Sequence, residues 1–373
     1  MPFNKFERMD KFDPYEECPC GSRKKFKFCC FQSAKDDEKT SAEKFKGYSD
    51  KRIQHEANKK WEDTDFKICL GFTKNECRPL IKSAHALQNN RILNRISEQG
   101  HVFNISSNIS KKGIDADFKK ISKNKASTFF GFCDFHDNKL FKPIEQKEYK
   151  NEEIQNFLFG FRGFCLEYHR KIRKLNTLRN NFKASPGFML SPIAVQLYRN
   201  SEFDIADSQT EYETFRKDYF NKDFNKLRTI HRRLKKEVEF AVSSSFAVKD
   251  DLHGNVINDI YSVNSEIVPN IHVNIFPRDG ETVIILSYHN NYDSIYSKYF
   301  DELKELSDED LEKHLNFLVI NYTENIFFSP RLLKKLSDEQ KRSLLVSFQS
   351  SMDAQKTYEL NKDGQFFNFN LFS

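Results

Sequence analysis

Between Asn151 and about Asn176 the apolar positions fall at Ile154, Phe157, Leu158, Phe161, Cys165, Tyr168 and Ile172. That spacing predicts one long amphipathic helix, and its basic end, His169 to Lys174, complements the negative end of a helix dipole. Leu227, Ile230 and Leu234 predict a second helix over Phe224 to Val238, with Lys226, Arg228, Arg232, Arg233, Lys235 and Lys236 on its remaining surface. Upstream, Arg91 to Gln99 reads as a short helix ended by Gly100, His101 to Ile105 as a strand, and the polar, lysine-rich stretch Ser107 to Lys125 as a loop. Beyond Glu239 the period changes. Glu239 to Val248 and Ile271 to Phe276 are β-rich, Thr282 to Ser287 is a nearly continuous apolar strand, and Asp279-Gly280 predicts a hairpin between the last two. Ser307, Ser329 and Ser337 each stand before an apolar-periodic run, where a serine caps a helix. The expected class is α+β, and no internal repeat, P-loop or dinucleotide fingerprint is present.

The chain has 373 residues, enough for several domains without disulfide support. Its 38 Phe and 14 Tyr supply core material despite 31% charged residues. A formal charge of +6 is a mild basic excess, not that of a nucleic-acid-packaging protein. No apolar run reaches the ~18 residues of a membrane span, and the first residues lack the apolar stretch of a signal peptide, so a cytoplasmic location is expected.

The eight cysteines carry the chemistry. Four lie in Cys18-Pro19-Cys20-Gly21-Ser22, Lys24-Lys25-Phe26 and Cys29-Cys30, a C-x-C pair followed by a C-C pair. Disulfides within either pair would be strained, whereas four soft ligands around a short turn suit tetrahedral Zn²⁺. This segment resembles the SEC-C motif, the small zinc module at the tail of the SecA translocation ATPase. Arg23 stands where that family commonly has Gly, and Phe31 follows where Gly is frequent. The resemblance covers roughly residues 17–31 and implies docking on a SecB-like chaperone or the ribosome.

Cys69, Cys77, Cys133 and His136 form a second candidate ligand set of Cys3His type, with His85 and His101 as substitutes for His136. The competing reading is three buried core cysteines and a capping histidine. Cys165 belongs to the long helix's apolar stripe and reads as core. A knuckle followed by a helix suggests a treble-clef-like region. His85, His101 and Asp137 are the candidate catalytic groups of a metal-dependent nuclease using Mg²⁺ or Mn²⁺ beside a structural zinc. That layout resembles HNH-type nucleases in part, without their regular pair of C-x2-C knuckles or a second Asn or His on the following helix. Ile81 to His85 with Ala126 to Asp137 also resembles uncharacterised bacterial zinc-containing proteins of phage-defence or toxin type, which implies an effector role.

Five regions are expected: a zinc module at 1–31, a charged linker or exposed helix at 32–62, a second zinc-binding domain at 63–150, a helical region with basic faces at 151–238, and an α+β domain at 239–373. Arg228, Arg232, Arg233, Lys235 and Lys236 are either nucleic-acid contacts or an ordinary solvated face. Two functions follow from these features: a zinc-binding effector acting on nucleic acid or the translation machinery, or a non-enzymatic adaptor. ADP-ribosyl or nucleotidyl transfer is a third, for which Arg331, Glu324 and Ser244 form no motif.

Overall fold

The computed structural model describes residues 10–44, 47–260, 267–350 and 369–373, so the opening residues 1–9 of the first expected region lie outside it. In chain order come α1 (Phe31–Lys44), α2 (Asp50–Glu62), β1 (Ile81–His85), α3 (Asn94–Ile96), β2 (His101–Ser110), β3 (Gly113–Ser122) and β4 (Thr128–Cys133). Then follow α4 (Asp134–Leu140), α5 (Lys142–Glu145), α6 (Glu153–Ala184), α7 (Pro192–Asn221), β5 (Leu227–Leu234), β6 (Phe240–Phe246) and β7 (Ile271–Arg278). The chain ends with β8 (Glu281–His289), α8 (Asp293–Glu305), α9 (Asp308–Asn321), β9 (Ile326–Phe328), α10 (Pro330–Lys335) and α11 (Asp338–Ser350).

The fold is α+β. Seven antiparallel strands run in the order β3-β2-β9-β6-β7-β8-β5, and β1 pairs with β4 in a separate two-stranded sheet. Alternation along the central strands divides their apolar side chains between two cores. Phe240, Val242, Val273 and Ile275 meet α8, α9 and α11 on one face, while Ala241, Phe276, Val283 and Ile285 meet α6 on the other. Among the described residues no helix is long and apolar enough to cross a membrane.

Helix α6 confirms the predicted long helix but continues to Ala184, past its expected end at Asn176. Glu152 and Gln155 form a capping box at its start, and every residue from Gln155 to Leu166 is buried. Such burial brings the helix backbone against the sheet at two glycines. A Cβ on Gly163 would lie 3.1 Å from Ser243 Oγ and 3.3 Å from Ser244 N, whereas one on Gly160 would make ordinary 3.4 Å contacts with His272 and Leu227. Further along, Leu175 and Phe182 join Phe12, Phe26, Val195 and Tyr198 in a third core beneath the N-terminal cysteine module.

Two expectations are overturned. Phe224–Val238 is not a basic helix: only Phe224–Lys226 is helical, and Leu227–Leu234 is the edge strand β5. Leu227, Ile230 and Leu234 satisfy a helical spacing, yet Leu227 faces the α6 core while Ile230 and Leu234 face the opposite one, and β8 pairs with the whole segment. Ser107–Lys125 is not a loop, because β2 runs to Ser110 and turns into β3. As β3 is a sheet edge, its lysines face water and hide the apolar alternation that marks a strand. The predicted helix at 91–99 contracts to a wide turn, Asn89–Leu93, followed by α3. Most of the expected charged linker or exposed helix at 32–62 is helical, in α1 (Phe31–Lys44) and α2 (Asp50–Glu62).

The β7–β8 hairpin follows its prediction, with Asp279 and Gly280 at φ +52° and +85°. Ser307, Ser329 and Ser337 each accept a backbone N–H within the first turn of α9, α10 and α11. Gly163→Val is expected to lower unfolding stability by about 1–3 kcal/mol through overpacking, while Gly160→Ala is neutral or stabilising by up to ~1 kcal/mol through helix propensity; chemical denaturation measures both.

Candidate metal centres

The first cluster is built by a tight turn. Cys18 N donates to Lys24 O at 2.7 Å and Gly21 N to Cys18 O at 3.0 Å, folding the chain back on itself. The turn requires left-handed backbone at Gly21, φ +79°, and at Arg23, φ +62°. Glycine takes that conformation freely, so Arg23 is a strained departure from the motif it resembles. Cys29 and Cys30 follow the helical turn Phe26–Phe28, and Phe31 opens α1 with its ring edge-on to Phe26.

All four Sγ atoms lie within 4.8 Å of one another. Cys20 Sγ is 3.7 Å from Cys29 Sγ, which is 3.6 Å from Cys30 Sγ. A tetrahedron with metal–sulfur bonds of ~2.3 Å has edges of about 3.8 Å, so the spacing fits one cation. Burial pushes the Cys18 thiol up to about 11, a cost that a bound cation removes by displacing the proton.

The second cluster joins three separate pieces of chain. Cys69 lies on an extended segment held along β4 by Ile68 N to Phe130 O, 3.0 Å, and Leu70 N to Gly131 O, 2.8 Å. Cys77 ends the helical turn Lys74–Glu76; Cys133 ends β4 and caps α4, whose first turn carries His136. Knuckle, paired strands and helix thus follow the treble-clef order, with β2 and β3 inserted between β1 and β4.

His136 Nδ1 lies 3.3, 3.6 and 3.2 Å from the sulfurs of Cys69, Cys77 and Cys133. These are close to the sulfur–nitrogen edges of about 3.6 Å expected around a shared metal. With Nδ1 directed at the ligands, Nε2 carries the proton and donates it to Thr73 Oγ1 at 2.8 Å. Thr73 in turn donates to Glu76 Oε2 at 2.5 Å, and Lys139 Nζ completes the relay 3.2 Å from Glu76. The Thr73 hydrogen bond, reinforced by Lys139, holds the Glu76 carboxyl below its usual range. Such relays fix the orientation of a ligating imidazole. Gly71 is required beside it, because a Cβ there would sit 2.3 Å from His136 Cγ. The sequence motif missed Gly71, Thr73 and Glu76, although all three lie in the loop between Cys69 and Cys77. Burial pushes the Cys69 thiol up to about 12.

Both clusters supply four protein ligands, the arrangement of a structural site with no position left for substrate. The candidate catalytic groups lie elsewhere. His85 ends β1, and its buried Nε2 meets no hydrogen-bond partner. Burial first, then the charge of Arg162, holds its imidazole below the usual range. Arg162, only 3% exposed, projects from α6, lies 3.5 Å from Asp137 and bonds Glu145. His101 lies at the start of β2, with Nδ1 2.8 Å from the Gln99 carbonyl. Among the described residues, four cavities of 480 to 810 Å³ are lined by neither His85, His101 nor Asp137.

The five basic residues expected to meet nucleic acid lie on β5 and just beyond it. Arg228 pairs with Asp293, Arg233 with Glu281 and Lys236 with Glu312, while Arg232 bonds the Lys304 carbonyl and Lys235 is exposed. Cys165 is fully buried in the α6 core. Ser244 bonds Glu167 and Glu324 lines the 810 Å³ cavity, but Arg331 is bound to Glu239 and the Arg95 carbonyl.

Metal analysis of the purified chain is expected to find two equivalents of a thiophilic divalent metal. Cys18→Ser removes one, Cys69→Ser the other, and Gly71→Ala the second while all eight ligands remain; full retention by Gly71→Ala would show that His136 does not ligate. Thr73→Val is expected to weaken the second site by roughly 10–100-fold in a chelator competition. The ligand assignment rests on the side chains themselves, since no family model, curated protein or solved structure matches the chain.

Proposed function

We propose that this protein is a zinc-framed docking effector whose N-terminal module grips an anionic partner, of which ribosomal RNA is the reading favoured by the module's surface. Zinc is the metal that best suits two closed sets of thiolate and imidazole ligands near tetrahedral spacing. The module's inner face, Phe12, Phe26 and the cysteines, is packed on α6 and α7. Its outer face carries the reading: Phe28 and Tyr15 are 71% and 58% exposed amid Arg23, Lys24, Lys25 and Lys27, all of them exposed. No carboxylate falls between Ser22 and Phe28. Lys27 lies over the Tyr15 ring at 4.8 Å, so cations and aromatic faces are presented together, the pairing that suits phosphates and unstacked bases.

A nuclease centred on His85 has less support, because Arg162 already pairs with Asp137 and Glu145 and His85 lines none of the four cavities described above. Lys25→Glu/Lys27→Glu with Phe28→Ser is expected to retain two zinc ions and lose at least ~10-fold in co-sedimentation with ribosomes, with a shallower salt dependence. Undiminished ribosome binding would sink the docking reading, and binding only to an acidic chaperone would replace RNA by protein as the partner. Purified protein is expected to leave RNA and DNA intact in Mg²⁺ or Mn²⁺; cleavage abolished by His85→Ala would reinstate the nuclease.

A further inference from the structure

A cavity of about 810 Å³ opens between the C-terminal half of α6, the middle of α7 and the far end of β6. Glu167, Arg170, Lys171, Lys174, Asp204 and Asp207 line its helical sides, and Ser245 and Asn270 lie in the wall contributed by the sheet. Behind Ser245 runs a chain of buried polar groups that the docking function does not use. Ser245 Oγ is 3.0 Å from His272 Nδ1, its cross-strand neighbour on β7. On the other side of the ring, Nε2 is 3.5 Å from Glu211 Oε1, and Asn270 Nδ2 donates to Glu211 Oε2 at 2.5 Å.

With the proton of the neutral imidazole on Nε2, the nitrogen on the Glu211 side of the ring, the Nδ1 lone pair faces the serine hydroxyl. His272 is 1% exposed, and its burial followed by the charge of His289 pushes it down to about 3, so the resting ring is neutral and holds a proton only against that burial. Burial lifts Glu211 to about 7 against its Asn270 hydrogen bond and the nearby Lys171 charge. Above that pH the carboxylate is charged and stabilises an imidazolium. Nucleophile, base and orienting carboxylate thus stand in sequence at the wall of a cavity.

We propose that Ser245 is a nucleophile, with His272 as its base and Glu211 as a positioning residue, that cleaves carboxylic esters admitted to this cavity. Ser245 Oγ bonds to the carbonyl carbon as its proton passes to His272 Nδ1 and the carbonyl π pair moves to oxygen. Collapse of that intermediate breaks the bond to the leaving alkoxide, which takes the proton from His272. Water then repeats both steps on the acyl-serine, releasing the carboxylic acid and restoring the hydroxyl.

Incubation of the full chain with a fluorophosphonate tests this, since attack by Ser245 on phosphorus expels fluoride and leaves a covalent label. One label per chain, mapped to Ser245 by peptide mass, is the expected result. Ser245→Ala takes none, His272→Gln reacts at least roughly 100-fold more slowly, and Glu211→Gln loses the rise in labelling rate through about pH 7. Unlabelled wild-type protein, or a label on any other residue, overturns the proposal. Zinc content monitors the folding of the buried His272→Gln variant, and the comparison of wild type with Ser245→Ala stands without it.

Discussion

The close contact between α6 and β6 at Gly163 is the constraint on which the remaining architecture depends. A helix buried on every side from Gln155 to Leu166 cannot be served by one amphipathic stripe, and a Cβ at Gly163 would push it off the sheet. Because it lies so close, one rigid rod joins two of the three cores and closes the sheet face opposite the third. Its first half carries Arg162 to Asp137 and Glu145, its middle offers Glu167 to Ser244, and its last turns seat the N-terminal cysteine module through Leu175 and Phe182. The two metal centres are therefore fixed to one common element despite their separation in sequence.

Charge is managed inward as much as outward. Arg162 answers two carboxylates in a nearly sealed setting, and its stacking over the Phe141 ring at 4.6 Å adds to that confinement. The basic residues of β5 are largely bound to acids or carbonyls of their own chain, and they mark an edge strand that resists pairing with another sheet. The small module instead presents its cations beside exposed aromatic rings. Net charge alone did not distinguish these uses.

Much of the chemistry was legible because metal ligands are few in kind and strict in spacing: the eight candidate ligands were identifiable from the sequence, and the structure brings them together in two groups that could each hold a cation. Local signals with a single physical meaning also carried through, such as the Asp279-Gly280 turn and the serine caps. Failures came where one pattern served two geometries. Leu227, Ile230 and Leu234 fit a helix face and equally a strand shared between two cores. The β2–β3 hairpin was hidden because an edge strand advertises its solvated side. Thr73, Glu76 and Arg162 act through partners distant in sequence, and no local pattern encodes such partners. Helix α7 went unread, with apolar residues spread around a surface that meets different neighbours along its length.

The insertion of β2 and β3 between β1 and β4 gives the two metal centres unlike roles in the history of the chain. The first closes a short local ring between residues 18 and 30 and is complete once that segment exists. The second ties residue 69 to residue 136 across a hairpin that also belongs to the large sheet. Loop-closure entropy grows only slowly with length, so the longer ring is not prohibitive, but its ligands meet only after most of the intervening chain has been ordered. During synthesis the N-terminal centre can load as soon as it emerges, whereas the other must wait for the helix that carries His136. A cation held by the second set would thus clasp the region it encloses only once that region has folded.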